Sequence, residues 1–321
     1  MNQRNVLVIG SGVSGLSTAL KLLQAGHEVT VWTKEKTGEL PNSSGNAYAI
    51  WVPVRIDSDP RVERWTNETY AELKALACDP TAGVTLRDIY QLKPHAADPW
   101  FAATVPGVRH ALPSEISSDY ADAHVIEGAP IVEPAVHLQY LRAQVLAGGG
   151  KIVTREVESF DDCPSCVDVI VSCTGLGSRR LANDSTLFAE RVQVVRIKPN
   201  GFQHVVVDDE GAHKRACIVP HQDYIQLGAI FDVGNEALDV DDKHTADILA
   251  RCKRMVPGFK AEMEDVISVH RALRPERPLT RVELERRTGA PHIIHNYGHD
   301  GMGYILSAGI AREIVGFVES L

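Results

Sequence analysis

The residues of this chain that are best placed to do chemistry begin with a glycine-rich turn close to the N-terminus. The turn consists of Gly10, Ser11, Gly12, Val13, Ser14 and Gly15. It lies between the apolar run 6–9 and a stretch with helical spacing, so the G-x-G-x-x-G pattern joins a strand to a helix. Gly10 permits the tight bend, Gly12 lets the backbone approach a pyrophosphate, and Gly15 lets the helix pack closely on the strand. Because helix N-terminal amides attract phosphates, we predict that this turn binds a dinucleotide.

A second strand, predicted over residues 27–35, ends in two charged residues that fit the same interpretation. Glu35 lies twenty residues after Gly15, where an acidic side chain can accept hydrogen bonds from the ribose hydroxyls of the adenosine. Lys34 precedes it, and we include both residues in the predicted cofactor site. These features suit NAD and FAD equally, so the choice between the two cofactors depends on other residues.

A second glycine-rich turn precedes the apolar-faced helix at the end of the chain, and it favours a flavin. The turn and the two residues after it are Asp300, Gly301, Met302, Gly303, Tyr304 and Ile305. Two glycines allow close backbone approach, and the helix dipole can stabilise negative charge on the N1–C2=O end of a reduced flavin. An NAD-binding fold has no evident need for this second turn, so the turn supports FAD over NAD.

The order of the elements predicts an α/β protein with a Rossmann-type FAD-binding domain, a parallel sheet, and an inserted β-rich α+β domain. The N-terminal β-α-β unit is expected to have parallel strands joined by a right-handed crossover. Several β-like runs over residues 193–233 suggest an antiparallel sheet. We assign the FAD-binding domain to residues 1–45, 133–185 and 286–321, and the substrate-binding domain to residues 46–132 and 186–285.

Composition and charge exclude several classes of partner. The 321 residues carry a formal net charge of −9 without any Lys/Arg block that could track a phosphate backbone, so we expect no nucleic acid partner. No apolar run reaches the roughly 18 residues that span a bilayer, and the residues before the first predicted strand lack the longer apolar segment and cleavage site of a signal peptide. The six cysteines are scattered, as in a reducing compartment. We therefore expect a cytoplasmic protein without a membrane partner, and the sequence leaves a homodimer open.

Metal ligation is not expected from the sequence. Cys163 and Cys166 form a C-x-x-C pair, but zinc would need two more ligands at a suitable spacing, and none is evident nearby. His295 and His299 are four residues apart, but they precede the last helix and so do not share a helical face. We therefore assign no metal site.

Segments along nearly the whole chain resemble, in order, those of the D-amino acid oxidase family. They are VLVIGSGVSGLSTALKLLQAGHEVTVWTKE (6–35), NSSGNAYAIWVPV (42–54), REVESF (155–160), VIVSCTGLGS (169–178), RALRPERP (271–278) and HNYGHDGMGY (295–304). The resemblance implies bound FAD, with Ser43 and Ser44 at its phosphates and Val157 beside its adenine. It also places Gly175, from the Cys-Thr-Gly of this family, in the cofactor site.

The resemblance further implies an oxidase that deaminates a D-amino acid. Hydride would pass from the substrate Cα to flavin N5, the imine would hydrolyse to a 2-oxo acid and ammonia, and O2 would become hydrogen peroxide. Arg274 is expected to hold the substrate carboxylate with both arms of its guanidinium, and Gly301 is carried over as a second active-site residue. The family needs no side-chain general base, so none is assigned.

Two positions depart from the family in ways that leave the substrate open. Cys217 and His213 stand where the family commonly has tyrosines, and the flavin-facing segment 48–51 (YAIW) is bulkier than its counterparts. We therefore expect a substrate preference different from that of the tyrosine-bearing members. The alternatives are a related flavin oxidase that acts on glycine, sarcosine or another secondary amine, a flavin-binding protein without oxidase turnover, and, more distantly, an NAD-dependent dehydrogenase.

Overall fold

The polypeptide alternates strands and helices near both ends of the chain and is mainly β-structure between them. The computed structural model describes residues 2–34, 43–52, 59–96, 98–211, 213 and 215–321. The strands are β1 (Asn5–Ile9), β2 (Glu28–Thr33), β3 (Val84–Lys93), β4 (Val108–His110), β5 (Asp122–Val132), β6 (Lys151–Thr154), β7 (Val169–Ser172), β8 (Phe188–Ile197), β9 (Val205–Asp208), β10 (Ala216–Pro220), β11 (Ile225–Val233), β12 (Val266–Glu276), β13 (Arg281–Glu285) and β14 (His292–Tyr297). The helices are α1 (Val13–Gln24), α2 (Arg61–Leu76), α3 (Pro134–Ala147), α4 (Ser178–Leu181), α5 (Asp242–Met255) and α6 (Gly303–Glu319). Glu35, which the sequence places at the ribose, lies outside the described residues.

Six strands form the sheet that carries the two glycine-rich turns. They lie in the order β13-β14-β7-β1-β2-β6, and all neighbours are parallel except the edge pair β13 and β14. Residues 6–9 of β1 and all of β7 are buried, as expected for the central strands of a parallel sheet that is covered on both faces. The predicted α/β fold class with a parallel Rossmann-type sheet is confirmed.

The second sheet has eight strands in the order β12-β8-β11-β10-β9-β3-β5-β4. Its neighbours are antiparallel except β3 and β9, which run parallel. All eight strands come from the ranges that the sequence assigns to substrate binding. The sequence assigns β13 to those ranges as well, but β13 pairs with β14 in the six-stranded sheet, with Arg281 opposite Tyr297. A connection of six residues joins β13 to β14, and connections this short keep antiparallel strands adjacent.

Helix α6 lies in the core and packs against α1 and α2. A Cβ on Gly309 of α6 would lie 2.3 Å from the Cα of Trp65 on α2, so this glycine allows the two helices to touch through their backbones. The Trp65 indole donates to Glu313 Oε2 at 2.8 Å and fixes the crossing. Among the described residues, the helical stretch 300–319 alone is long and apolar enough to span a membrane by length and composition, and 61% of its apolar window is buried inside the protein.

Candidate active site

A cavity of about 1010 Å³ brings the two glycine-rich turns and the eight-stranded sheet together. Ligand pockets commonly measure about 300–1,000 Å³, so this cavity can hold a large ligand. The predicted site residues that the structure describes all line the cavity, except Gly15 and His213. The two turns, which are about 290 residues apart in the chain, therefore face one continuous space.

The first turn is shaped by three backbone segments in close contact. Gly10 has a φ of +112°, which favours glycine, and a Cβ there would lie 2.3 Å from the carbonyl oxygen of Cys173. A Cβ on Gly15 would lie 2.0 Å from the carbonyl oxygen of Gly10. Gly15 therefore supports the turn from behind, and for this reason it does not line the cavity.

Gly12 immediately precedes α1 and leaves the helix N-terminus open to the cavity. A Cβ on Gly12 would lie 3.0 Å from Ser44 Oγ, so a larger residue would fill the space between them. The Val13 amide donates to Ser44 Oγ at 3.1 Å, and the Ser43 hydroxyl donates to the Leu273 carbonyl oxygen at 2.7 Å. An open helix N-terminus beside serine hydroxyls fits the pyrophosphate of FAD.

Polar side chains join the two glycine-rich turns. His299 Nε2 is 2.9 Å from Asn296 Oδ1, and His299 Nδ1 is 3.3 Å from the Ser14 hydroxyl. The Asn296 amide nitrogen donates to Thr18 Oγ1, so Asn296 Oδ1 is an acceptor and His299 carries its proton on Nε2. Burial lowers the pKa of His299 to about 4, so the ring is neutral at pH 7 and its Nδ1 can accept from Ser14.

The end of the cavity near β2 and β6 carries groups that sequence reasoning missed. The Arg155 guanidinium lies over the Trp32 ring, 4.1 Å from its centroid. Arg180, which was also missed, lines the same cavity, and its Nη2 donates to the Val157 carbonyl oxygen at 3.3 Å. Lys34, which the sequence predicts, lines this cavity as well. These cations suit the phosphates and adenosine of FAD. The available signal was the position of Arg155 in the segment REVESF, two residues before Val157.

Arg274 lines another part of the cavity and is surrounded by carboxylates. Its Nη1 is 3.2 Å from Glu190 Oε2 and 3.2 Å from Asp300 Oδ1, and its guanidinium lies 4.7 Å from the centre of the Phe231 ring. A Cβ on Gly301 would lie 3.0 Å from the Cζ and Nη2 atoms of Arg274. The glycine at position 301 therefore lets the guanidinium approach the turn that begins α6.

Two further residues set the charge of this cluster. Arg215 Nη1 pairs with Glu190 Oε1 at 2.9 Å, and Glu276 Oε1 lies 4.0 Å from Arg274 Nη1. Burial, followed by a hydrogen bond to Asp300 and the charge of that carboxylate, raises the pKa of Glu276 well above its usual range. The Glu276 and Asp300 carboxyls therefore hold one proton between them at neutral pH. With that proton, the two arginines balance the charge of the three carboxyl groups, so the cluster has no net charge.

The two residues that replace the tyrosines of the family take different positions. Cys217 on β10 lines the cavity, and burial, followed by the charge of Asp209, raises the pKa of its thiol. His213 is absent from the described lining, because its amide donates to Asp208 Oδ2 at 2.9 Å and its ring packs beside Tyr120, with centroids 6.4 Å apart. The structure thus places His213 outside the described lining, in a turn that Asp208 holds.

A tyrosine from another segment stands beside Cys217. Tyr48 lines the cavity, and its buried hydroxyl has no hydrogen-bond partner in the part of the chain that the structure describes. A Cβ on Gly228 would lie 1.5 Å from this hydroxyl, so the phenol occupies a notch that a glycine provides. Gly228 lies directly opposite Cys217 in the pairing of β10 and β11, so the phenol lies beside Cys217. Burial, followed by the Cys217 thiol, raises the pKa of Tyr48, and the charge of Arg274 opposes the shift. The signal in the sequence was the unusual bulk of segment 48–51.

Replacing Gly12 with valine tests the pyrophosphate site. The valine side chain would displace Ser44 and cover the α1 amides, so we expect Gly12→Val to lose FAD while the fold survives. Flavin absorbance of the purified protein, compared with its circular dichroism and melting temperature, measures the two effects separately. Gly316→Val is the matched control, because a Cβ at that exposed position on α6 meets no atom within 4 Å. Retention of FAD at wild-type affinity by Gly12→Val would place the phosphates elsewhere.

The neutral His299 predicts a specific loss of stability in acid. Its pKa of about 4 lies below the ordinary value of 6.5, so the unfolded chain binds a proton more readily between these values. The stabilising contribution is complete above about pH 6.5, is lost as the pH falls towards 4, and amounts to roughly 3 kcal/mol. We expect the free energy of unfolding of FAD-saturated wild type to fall more steeply over this range than that of His299→Gln. Parallel curves for the two proteins would contradict a buried neutral His299.

Known proteins of similar sequence cover almost the whole chain. A D-amino-acid oxidase of Rubrobacter xylanophilus is 34% identical over 310 residues, which cover 96% of this chain and 93% of that protein. The D-aspartate oxidase of Homo sapiens is 29% identical over 98% of this chain and 94% of its own length. Over residues 5–316 the sequence matches the model of the DAO family, described as FAD dependent oxidoreductase.

Solved structures with low sequence identity share the fold. Glycine oxidase from Geobacillus kaustophilus has a TM-score of 0.79 at 17% identity and covers 100% of this chain and 95% of that one. L-α-glycerophosphate oxidase from Mycoplasma pneumoniae, solved with FAD bound, has a TM-score of 0.75 at 15% identity, with coverages of 99% and 95%. The family match confirms the predicted FAD cofactor and excludes the NAD-dependent alternative. This chain is an enzyme of the DAO family of FAD-dependent oxidoreductases.

Proposed function

We propose that this enzyme catalyses the oxidative deamination of a D-amino acid. The amine at the substrate Cα becomes an imine, which water hydrolyses to a 2-oxo acid and ammonia, and O2 is reduced to hydrogen peroxide. FAD supplies, when bound, the two-electron acceptor that connects these half-reactions. Relatives named D-amino-acid oxidase, at 34%, 31% and 29% identity, support the proposal.

The observation that carries the proposal is the pair of opposite charges in the cavity. Arg274 Nη1 and Asp300 Oδ1 both belong to lining residues and are 3.2 Å apart. A zwitterionic amino acid presents a carboxylate and an ammonium group at a similar spacing on one carbon. Its carboxylate can pair with the guanidinium while its ammonium group faces Asp300, so binding leaves the net charge of the site unchanged.

The surroundings of Arg274 orient the substrate. The carboxylates of Glu190 and Asp300 approach Nη1 only, and the Nη2 side of the guanidinium lies along the Gly301 backbone. The Phe231 ring supports the guanidinium plane, so an incoming carboxylate meets a fork that is already fixed. The buried apolar residues Val192, Val194 and Ala229 pack against Tyr48 and Phe231, and such apolar surroundings strengthen nearby ionic contacts.

A substrate panel tests the function. FAD-saturated enzyme is assayed for peroxide release and for anaerobic loss of flavin colour with both enantiomers of neutral, basic and acidic amino acids, and with glycine and sarcosine. We expect turnover of D-amino acids, with a lower kcat/KM for D-aspartate and D-glutamate than for neutral side chains, because the cluster has no spare positive charge. Activity confined to glycine or sarcosine would instead indicate an oxidase of small or secondary amines. Loss of flavin colour without oxygen consumption would indicate a flavoprotein without oxidase turnover.

Substitution of Arg274 tests the proposed carboxylate contact. Arg274→Ala removes two charge-assisted hydrogen bonds of roughly 1.5–3 kcal/mol each, so we expect kcat/KM to fall by about two to four decades. Arg274→Lys should recover only part of this loss, because an ammonium group cannot reproduce the fork. FAD content should not change in either variant. Kinetics, flavin absorbance and melting temperature are measured on the same preparations.

Arg215→Ala is the matched control for Arg274. Arg215 contacts the same two groups as Arg274: its Nη1 is 2.9 Å from Glu190 Oε1, and its Cζ is 4.5 Å from the centre of the Phe231 ring. Its removal therefore disturbs the same charge balance. We expect its kcat/KM to fall much less than that of Arg274→Ala. Equal losses in the two variants, or a stable, yellow Arg274→Ala enzyme with wild-type kcat/KM, would rule out a specific carboxylate contact.

A further inference from the structure

The outer edge of the eight-stranded sheet carries two histidines and an aspartate on one face. His110 on the edge strand β4 lies directly opposite His124 on β5. Asp122 is two residues before His124 on β5, and side chains two residues apart project from the same face of a strand. The register of the two strands therefore brings together three side chains that commonly bind metal ions.

The distances within this group are those of a compact site. One ligand atom from each of the three residues lies within 4.8 Å of the other two, and His110 Nδ1 is 2.5 Å from Asp122 Oδ2. Around a zinc ion with bonds of about 2.0–2.2 Å, tetrahedral ligand atoms are roughly 3.3–3.6 Å apart. Small rotations of the side chains would bring all three atoms to one ion.

A fourth residue has the position of a supporting carboxylate. Asp98 Oδ1 is 3.0 Å from His110 Nε2, the ring nitrogen opposite the one that faces Asp122. A histidine that binds a metal usually donates its other N–H to such a carboxylate, which fixes the ring and its tautomer. Asp122 and His124 are 6% and 4% exposed, so little water competes with them for an ion.

We propose that His110, Asp122 and His124 bind one divalent transition metal ion of the zinc class, with Asp98 positioning the His110 ring. Two imidazoles and a carboxylate form a mixed nitrogen and oxygen donor set, which favours zinc, cobalt or nickel over magnesium. The ion would fasten the three-residue edge strand β4 to its neighbour β5. This site is independent of the proposed oxidase activity.

The same residues have an alternative arrangement without a metal, in which a protonated His110 bridges two carboxylates. Hydrogen bonds to Asp98, followed by the one to Asp122, raise the pKa of His110, as this arrangement requires. In it the His110 and His124 rings stay 5.9 Å apart, centroid to centroid. Binding of a metal requires the ring of His110 to lose this proton, so the two arrangements exclude each other.

Zinc binding to the FAD-saturated enzyme tests the proposal. Protein stripped with a chelator is dialysed against zinc or magnesium, and bound metal is measured. We expect one zinc and no magnesium per chain. His110→Gln and Asp122→Asn each remove a ligand and should weaken zinc binding by at least about 100-fold, and Asp98→Asn by about 10–100-fold. His204→Gln, at an exposed histidine outside the site, is the matched control and should bind zinc like the wild type.

Melting temperatures separate the two arrangements, and the flavin spectrum shows that each variant is folded. Zinc should raise the melting temperature of the wild type and of His204→Gln, but not that of His110→Gln or Asp122→Asn. Less than one zinc per wild-type chain, or wild-type affinity in both ligand variants, would overturn the site. A second result would also overturn the site: Asp98→Asn and Asp122→Asn lower the melting temperature of the metal-free protein, and zinc leaves that of the wild type unchanged. His110 would then be a protonated bridge between the two carboxylates and not a metal ligand.

Discussion

The architecture depends on how closely three backbone segments meet at the carboxyl end of β1. The Gly10 carbonyl oxygen occupies the space that a side chain on Gly15 would need, and the Cys173 carbonyl oxygen occupies the space beside Gly10. This contact brings α1 to the edge of the sheet with its first amides unobstructed, where they can stabilise a phosphate. The neutral His299 then ties the second glycine-rich turn to the same helix through Ser14. The cofactor cavity is therefore fixed by backbone contacts that no larger residue could preserve.

The substrate end of the cavity depends on a different constraint, which is strand register. Arg274 on β12 lies directly opposite Glu190 on β8, so their ion pair is built into the pairing of two long strands. The chain then passes from β12 to β13, and so from the eight-stranded sheet into the six-stranded one. Because this passage places Arg274 next to the turn that carries Asp300, the substrate groups of one sheet meet the cofactor turn of the other.

Local patterns in the sequence predicted the parts of the fold that local backbone geometry controls. Both glycine-rich turns and the parallel sheet follow from short motifs, in which Gly10 and Gly15 have a direct steric reason. Lining residues such as Ser43, Ser44 and Val157 followed from the resemblance to the family and not from local patterns. Contacts made across the fold could not be predicted in the same way. Glu190 meets Arg274 only through a register that no spacing reveals, and Tyr48 reaches Cys217 from a segment about 170 residues earlier. The position of His213 outside the described lining is of the same kind, because the resemblance to the family carries no information on the hydrogen bond to Asp208 that holds its turn.

The charge around Arg274 is set by one buried proton. Ligand atoms of Glu190, Glu276 and Asp300 all lie within 4.8 Å of one another, and three ionised carboxylates at such distances would repel strongly away from water. The proton that Glu276 and Asp300 hold between them removes one of these charges, and the two that are left match Arg274 and Arg215. Because the cluster has no net charge, it holds the guanidinium in place without attracting anions non-specifically. A ligand that offers a carboxylate and an ammonium group together can pair with Arg274 and Asp300 and leave this balance intact, so the cluster selects amino acids as a class before the rest of the pocket selects a side chain.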